Sequence, residues 1–233
     1  MKVRDIARCA VMTALLIAVQ YALSFVAGVE LVTAVFAAYC YVSGARSGLL
    51  TGAAFSLLRC LIFGFMPNVI ILYLIYYSVF ALVISGIPKI HLPKWLSPLI
   101  LAALCIASAF FAVKGIPVSV MYKQRVKTFL WILAAVLAAL TVFGIFIVLK
   151  HFRKRDSIIK LYEVTAAASA LTVMFTLLDD VITPLFYGYS KQTAAAYFYG
   201  SFLAMLPQTI CAAVSVFVTF LPLKRAFEAT KNQ

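Results

Sequence analysis

Three of the seven acidic residues stand where ionisation is costly. Glu30 opens one apolar run, and Asp179-Asp180 closes another. A carboxylate at such a place stays hydrated, pairs, or meets a ligand. Arg59 lies inside a third run, shallow enough to snorkel or close enough to pair with Glu30. Asn68 follows a turn at Gly64 to Pro67, and Tyr73, Tyr76 and Tyr77 come after it at helical i, i+3, i+4 spacing, on one face. That face suits either an interfacial belt or a stacking wall. Tyr187, Tyr197 and Gln208 add further polar tips, with Ser201 on roughly the same face as Tyr197 and Gln208. Aromatic rings supply planar stacking and polar tips supply orientation, which is the equipment of a small-molecule capture site. Metal chemistry has less to work with. The five cysteines are scattered without a CxxC, and His91 and His151 each stand alone. No cofactor motif is present, and no cofactor is expected.

The elements that must position these groups are membrane helices. The chain has 233 residues, 65% of them hydrophobic, with a mean hydropathy of +1.07. Several separate runs approach the ~20 residues needed to cross a bilayer. The expected fold is all-α, a polytopic transmembrane bundle of about eight helices in one domain, 1–233. The predicted helices cover 3–24, 29–43, 48–65, 68–85, 97–113, 128–149, 157–178 and 193–223. Asp179-Asp180 ends the seventh, 181–191 is a loop, and Pro222 with Lys224-Arg225 closes the eighth. The connection 115–127 is polar and basic. Lys160 and Glu163, three apart, are placed to pair. Two helices carry small residues every fourth position: Ala10, Ala14 and Ala18 on the first, Gly48, Gly52 and Ser56 on the third. Such a stripe allows close helix packing, inside the bundle or against another subunit.

The formal net charge of +13 has a topological reading, because basic residues gather between the apolar runs. An even number of helices puts both termini on one side. The segments on that side hold Lys2, Arg4, Arg8, Arg46, Lys89, Lys94, Lys150, Arg153 to Arg155, Lys224, Arg225 and Lys231. The positive-inside rule makes it cytoplasmic. Lys114, Lys123, Arg125, Lys127 and Lys191 fall on the other side, four of them around one loop. Charge distributed in this way does not call for nucleic acid.

The pattern resembles the substrate-binding S component of an energy-coupling factor (ECF) vitamin transporter. The resemblance is carried by Arg4-Asp5-Ile6-Ala7 leading into the Ala10-xxx-Ala14 stripe, by Gly28-Val29-Glu30-Leu31-Val32, and by the glycine-rich stretch from Gly44 to Leu58. Ala196 to Gly200, Phe202 to Pro207 and Leu221 to Arg225 complete it. That family has six membrane helices, so the pair within 97–149 looks inserted, between helices 1–4 (1–86) and the last two (157–225). The resemblance implies a multi-pass protein of a prokaryotic plasma membrane that captures a water-soluble vitamin or related micronutrient outside. It implies docking through Ala10, Ala14 and Ala18 onto a transmembrane T subunit driven by two cytoplasmic ATPases. The chain has no Gly-x-x-x-x-Gly-Lys-Ser/Thr loop of its own. The ligand-facing residues would be Glu30, Arg59, Asn68, Tyr73, Tyr76, Tyr77, Asp179, Tyr187, Tyr197 and Gln208. Two alternatives stay open: a stand-alone secondary transporter, and an intramembrane enzyme using Asp179 and Asp180 as metal ligands or as an acid–base pair.

Overall fold

The computed structural model describes residues 3–25, 31–90, 93–117, 120–150 and 157–232. Glu30, His91, His151 and Arg153 to Arg155 lie outside the described residues, and so does the expected pairing of Glu30 with Arg59. The structure is all-helical: α1 (Val3–Leu23), α2 (Val32–Ser43), α3 (Ala45–Phe63), α4 (Pro67–Gly86), α5 (Leu96–Lys114), α6 (Val120–Lys150), α7 (Ser157–Tyr187) and α8 (Lys191–Asn232). Seven of these are long and apolar enough to cross a membrane; α2 is the exception. Large apolar side chains are exposed on several faces, including Val11, Leu61, Ile106, Val142 and Val218. Apolar surface on that scale belongs against lipid rather than water. The chain is a multi-pass membrane protein.

The short helix is the centre of the bundle. At ~1.5 Å per residue α2 is about 18 Å long, and Val32 to Ala34 and Phe36 to Cys40 are all buried. A helix that is apolar all round has to be enclosed. Accordingly α2 packs against α1, α3, α4, α7 and α8. Its Phe36 meets Tyr77 and Phe80 of α4 at ring-centroid distances of 5.3 and 5.5 Å. Gly44, at φ 85°, makes the single-residue turn into α3, a conformation that glycine adopts without a Cβ penalty. The Gly48, Gly52, Ser56 stripe of α3 is spent here. A Cβ on Gly52 would sit 3.1 Å from the Cβ of Tyr77 and 3.3 Å from Cζ of Phe36.

A second core lies beside the first. Leu101 of α5 and Leu130 and Leu137 of α6 are buried against Ile159, Tyr162 and Ala166 of α7, and against Phe202, Leu206 and Ala213 of α8. Among the described residues α5 and α6 pack only on each other, α7 and α8, and not on α1 to α4. The hairpin therefore adds a flank, and α7 and α8 are shared by both cores.

Consecutive helices run antiparallel, so α1 begins beside the end of α8. An Arg8 guanidinium N–H donates to the Thr230 carbonyl at 2.7 Å. We call this the terminal end and the opposite one the far end. Near the terminal end Lys160 donates to Glu163 at 2.6 Å, as the spacing predicts, and also to the Ile87 carbonyl at 2.6 Å.

Three predicted boundaries are corrected. Helix α7 does not stop at Asp179-Asp180 but runs on through Pro184 to Tyr187. Acidity does not end a helix; a cap does. Gly188, at φ 62°, lets the amide of Tyr189 reach the Pro184 carbonyl at 2.9 Å and closes the last turn as a left-handed cap. Helix α8 passes Pro222 and reaches Asn232, where Phe227 packs on Tyr39 at 5.9 Å. Helix α6 starts at Val120 rather than 128. Lys123, Gln124, Arg125 and Lys127 are good helix formers and extend it as exposed turns beyond the apolar run.

Candidate functional site

The far end holds a connected polar network built from three helices. Asn68 stands in the first turn of α4, next to Pro67, which suits a first helical position because it has no N–H to leave unsatisfied. Its side-chain amide donates to Oγ1 of Thr183 at 3.1 Å, and its carbonyl oxygen accepts from the Tyr187 hydroxyl at 3.3 Å. The Thr183 hydroxyl in turn donates a hydrogen bond to Oδ1 of Asp179 at 2.6 Å. From α8, Tyr197 donates to Oδ2 of the same carboxylate at 2.7 Å. Every bond in this chain points toward Asp179. Asp179 thus accepts one hydroxyl hydrogen bond on each of its two oxygens.

Consecutive residues on a helix point about 100° apart, so Asp180 takes a different partner. Ser201 of α8 donates to its Oδ2 at 3.0 Å, and Oδ1 is buried without a hydrogen-bond partner. Among the described residues neither aspartate has an ion-pair partner. The aspartates, five and four residues before the helix proline Pro184, are fixed by side chains of α8 as well as by their own helix. Pro184 has no N–H for the carbonyl of Asp180, which loosens the helix there.

A cavity of about 420 Å³ opens beside this network, between α7 and α8. Phe175, Thr176 and Asp179 line it from α7; Tyr197, Gly200, Ser201, Ala204 and Gln208 line it from α8. The α8 group recurs every three or four residues, so it forms one stripe.

Not every predicted residue reaches the cavity. Tyr76 and Tyr77 are 3% and 4% exposed, inside an aromatic cluster with Phe36, Phe55 and Phe80. They stand behind the cavity, and Phe175 joins them to it. Its ring lies 4.9 Å from Tyr76 and 5.4 Å from Tyr73. Arg59 stacks on Tyr73 with Cζ 4.3 Å from the ring centroid, and 5.6 Å from that of Phe63. Cation–π contact stabilises a guanidinium away from water, but its Nε is buried without a hydrogen-bond partner. Asn68, Asp179, Tyr187 and Tyr197 are thus brought together. Gln208 faces the same cavity, while Arg59 and the tyrosines of α4 form the layer behind it. Thr183 was missed, although it stands four residues after Asp179, at the spacing that places two side chains on one helix face.

Among the described residues no three His, Cys, Asp or Glu side chains come together as a metal site. Comparison with known protein families, with curated proteins and with solved structures found no match.

Thr183→Val keeps the shape of the side chain while removing the link between Asn68 and Asp179. It should lower stability by roughly 1 kcal/mol, within the ~0.6–1.7 kcal/mol typical of interhelical hydrogen bonds in membranes. Thermal unfolding of the detergent-solubilised protein measures this, and an unchanged midpoint would mean that the network does not tie α4 to α7.

Proposed function

We propose that the chain is the substrate-binding S component of an ECF-type importer in a prokaryotic plasma membrane. It captures a water-soluble vitamin or related micronutrient at the far end. A T subunit and two cytoplasmic ATPases then drive inward delivery. Both termini are cytoplasmic, as the basic residues gathered at the terminal end favour.

One observation carries this reading: the alanine stripe of α1 is not consumed by the fold. Ala10, Ala14 and Ala18 are exposed and line an open, apolar groove of about 940 Å³, with Leu50, Ala54 and Leu58 of α3 on its other wall. Small residues at a four-residue period let another helix approach closely, and among the described residues no helix covers them. The contrast with α3 is the support. Its Gly52 is covered by Tyr77 and Phe36 and its Gly48 by Cys40 and Ala81, whereas the alanines are left open. The polar cavity between α7 and α8 serves as the capture site, so docking and capture use different surfaces of the bundle.

Copurification tests the proposal. The tagged full chain, extracted from its own membranes, should bring down one further integral membrane protein and two ATPases. If it transports a solute in liposomes with no ATPase present, the proposal fails.

A further inference from the structure

The cavity between α7 and α8 says something about its ligand. Resting on the capture function proposed above, we infer that the cavity takes a compact organic cation whose charge sits on nitrogen beside a flat ring. Three features point there. The first is charge: Asp179 lines the cavity with its carboxylate side chain, and the hydroxyls of Thr183 and Tyr197 that hold it are neutral donors. They orient the carboxylate without cancelling its charge. The adjacent Asp180 adds a buried oxygen with no partner, one residue from the cavity wall. Charges within a membrane segment are paired or functional, and among the described residues no cation pairs with either aspartate.

The second feature is where the neighbouring cation went. Arg59 of α3 is stacked on Tyr73, on the other side of Phe175. Among the described residues it is held by the rings of Tyr73 and Phe63. The third feature is the remaining lining. Phe175 offers a ring face for stacking or cation–π contact, and Gln208 offers a side-chain carbonyl as a second acceptor for an N–H group. An anion entering this space would meet Asp179 directly.

The test uses the purified full chain in detergent and three small probes of similar size: benzylammonium, benzyl alcohol and benzoate. Their affinities are compared by isothermal titration, with thermal unfolding in parallel. Benzylammonium should bind at least ~10-fold more tightly than either other probe, a ratio equivalent to about one decade in Kd. Asp179→Asn and, separately, Asp180→Asn should reduce that preference. Because Asp179→Asn also disturbs the bonds from Thr183 and Tyr197, Ala204→Trp provides a second route. Ala204 is exposed on the cavity wall, so the indole should fill the space and weaken benzylammonium binding with the carboxylates intact. Equal binding of all three probes, preference for benzoate, absence of binding, or a preference unchanged in all three variants overturns the inference. Loss of the cation preference with the T subunit still copurifying removes only this inference. A retained preference without copurification removes the ECF assignment and leaves the cavity's selectivity standing.

Discussion

Ala14→Trp should abolish recovery of the T subunit and the two ATPases with the chain, while the chain itself folds and unfolds as before. Ala14 lies at the middle of the open groove between α1 and α3, exposed and, among the described residues, with no helix over it. An indole there projects into the space that a partner helix would occupy, not into the protein's own core. Packing of small residues at a helix–helix seam depends on close backbone approach, so one large side chain separates the whole contact. A loss of about 100-fold in assembly, roughly 2.7 kcal/mol, is the expected scale. The control is Val142→Trp, at a position on α6 that is 67% exposed and away from the groove; it should leave assembly intact. The measurement is quantitative copurification from membranes. If Ala14→Trp assembles as well as the unmodified chain, the groove is a lipid-facing surface and the docking proposal is lost.

Gly52→Leu should have the opposite profile and damage the fold itself. A Cβ at this position already meets the Tyr77 Cβ at 3.1 Å, the Phe36 ring at 3.3 Å and the Tyr77 carbonyl at 3.4 Å. The remaining carbons of leucine have no room, because Phe36, Phe55 and Tyr77 are all buried around α2. Overpacking a filled core typically costs about 1–3 kcal/mol, occasionally more, and a leucine driven between α3 and α4 belongs at the upper end. Gly52→Ala should be milder, since the gain of roughly 1 kcal/mol in helix propensity offsets part of the strain. Thermal unfolding followed by size-exclusion chromatography separates the two substitutions. A Gly52→Leu protein that melts with the unmodified chain would show that α3 and α4 are less tightly joined than the packing implies.

Much of the candidate site was legible because polar residues are conspicuous in an apolar chain. Asn68, Asp179, Tyr187 and Tyr197 stand out as interruptions, and the structure joins them in one network. What interruptions do not reveal is rotation. Tyr76 and Tyr77 share a helical face, but whether that face lines a cavity or enters a core depends on how α4 is turned relative to α2. It is turned so that both rings meet Phe36 or Phe80. Thr183 escaped notice for a related reason. A threonine beside a proline reads as a turn, and only the continuation of α7 to Tyr187 places it one helical step above Asp179.

The helices themselves followed from composition. Apolar runs of membrane-spanning length have to satisfy their backbone internally, which leaves the helix as the structure available to them. The sequence therefore determined eight helices, their order and the two small-residue stripes. Their use was decided by the tertiary structure. Both stripes obey the same four-residue spacing, and nothing in that spacing says which face meets α2. In the folded chain the glycines of α3 turn inward, Gly52 against Phe36 and Tyr77 and Gly48 against Cys40 and Ala81, while the alanines of α1 face an open groove. That difference arises from which side chains across the interface are large enough to fill the gap, a property of paired surfaces that no single helix carries.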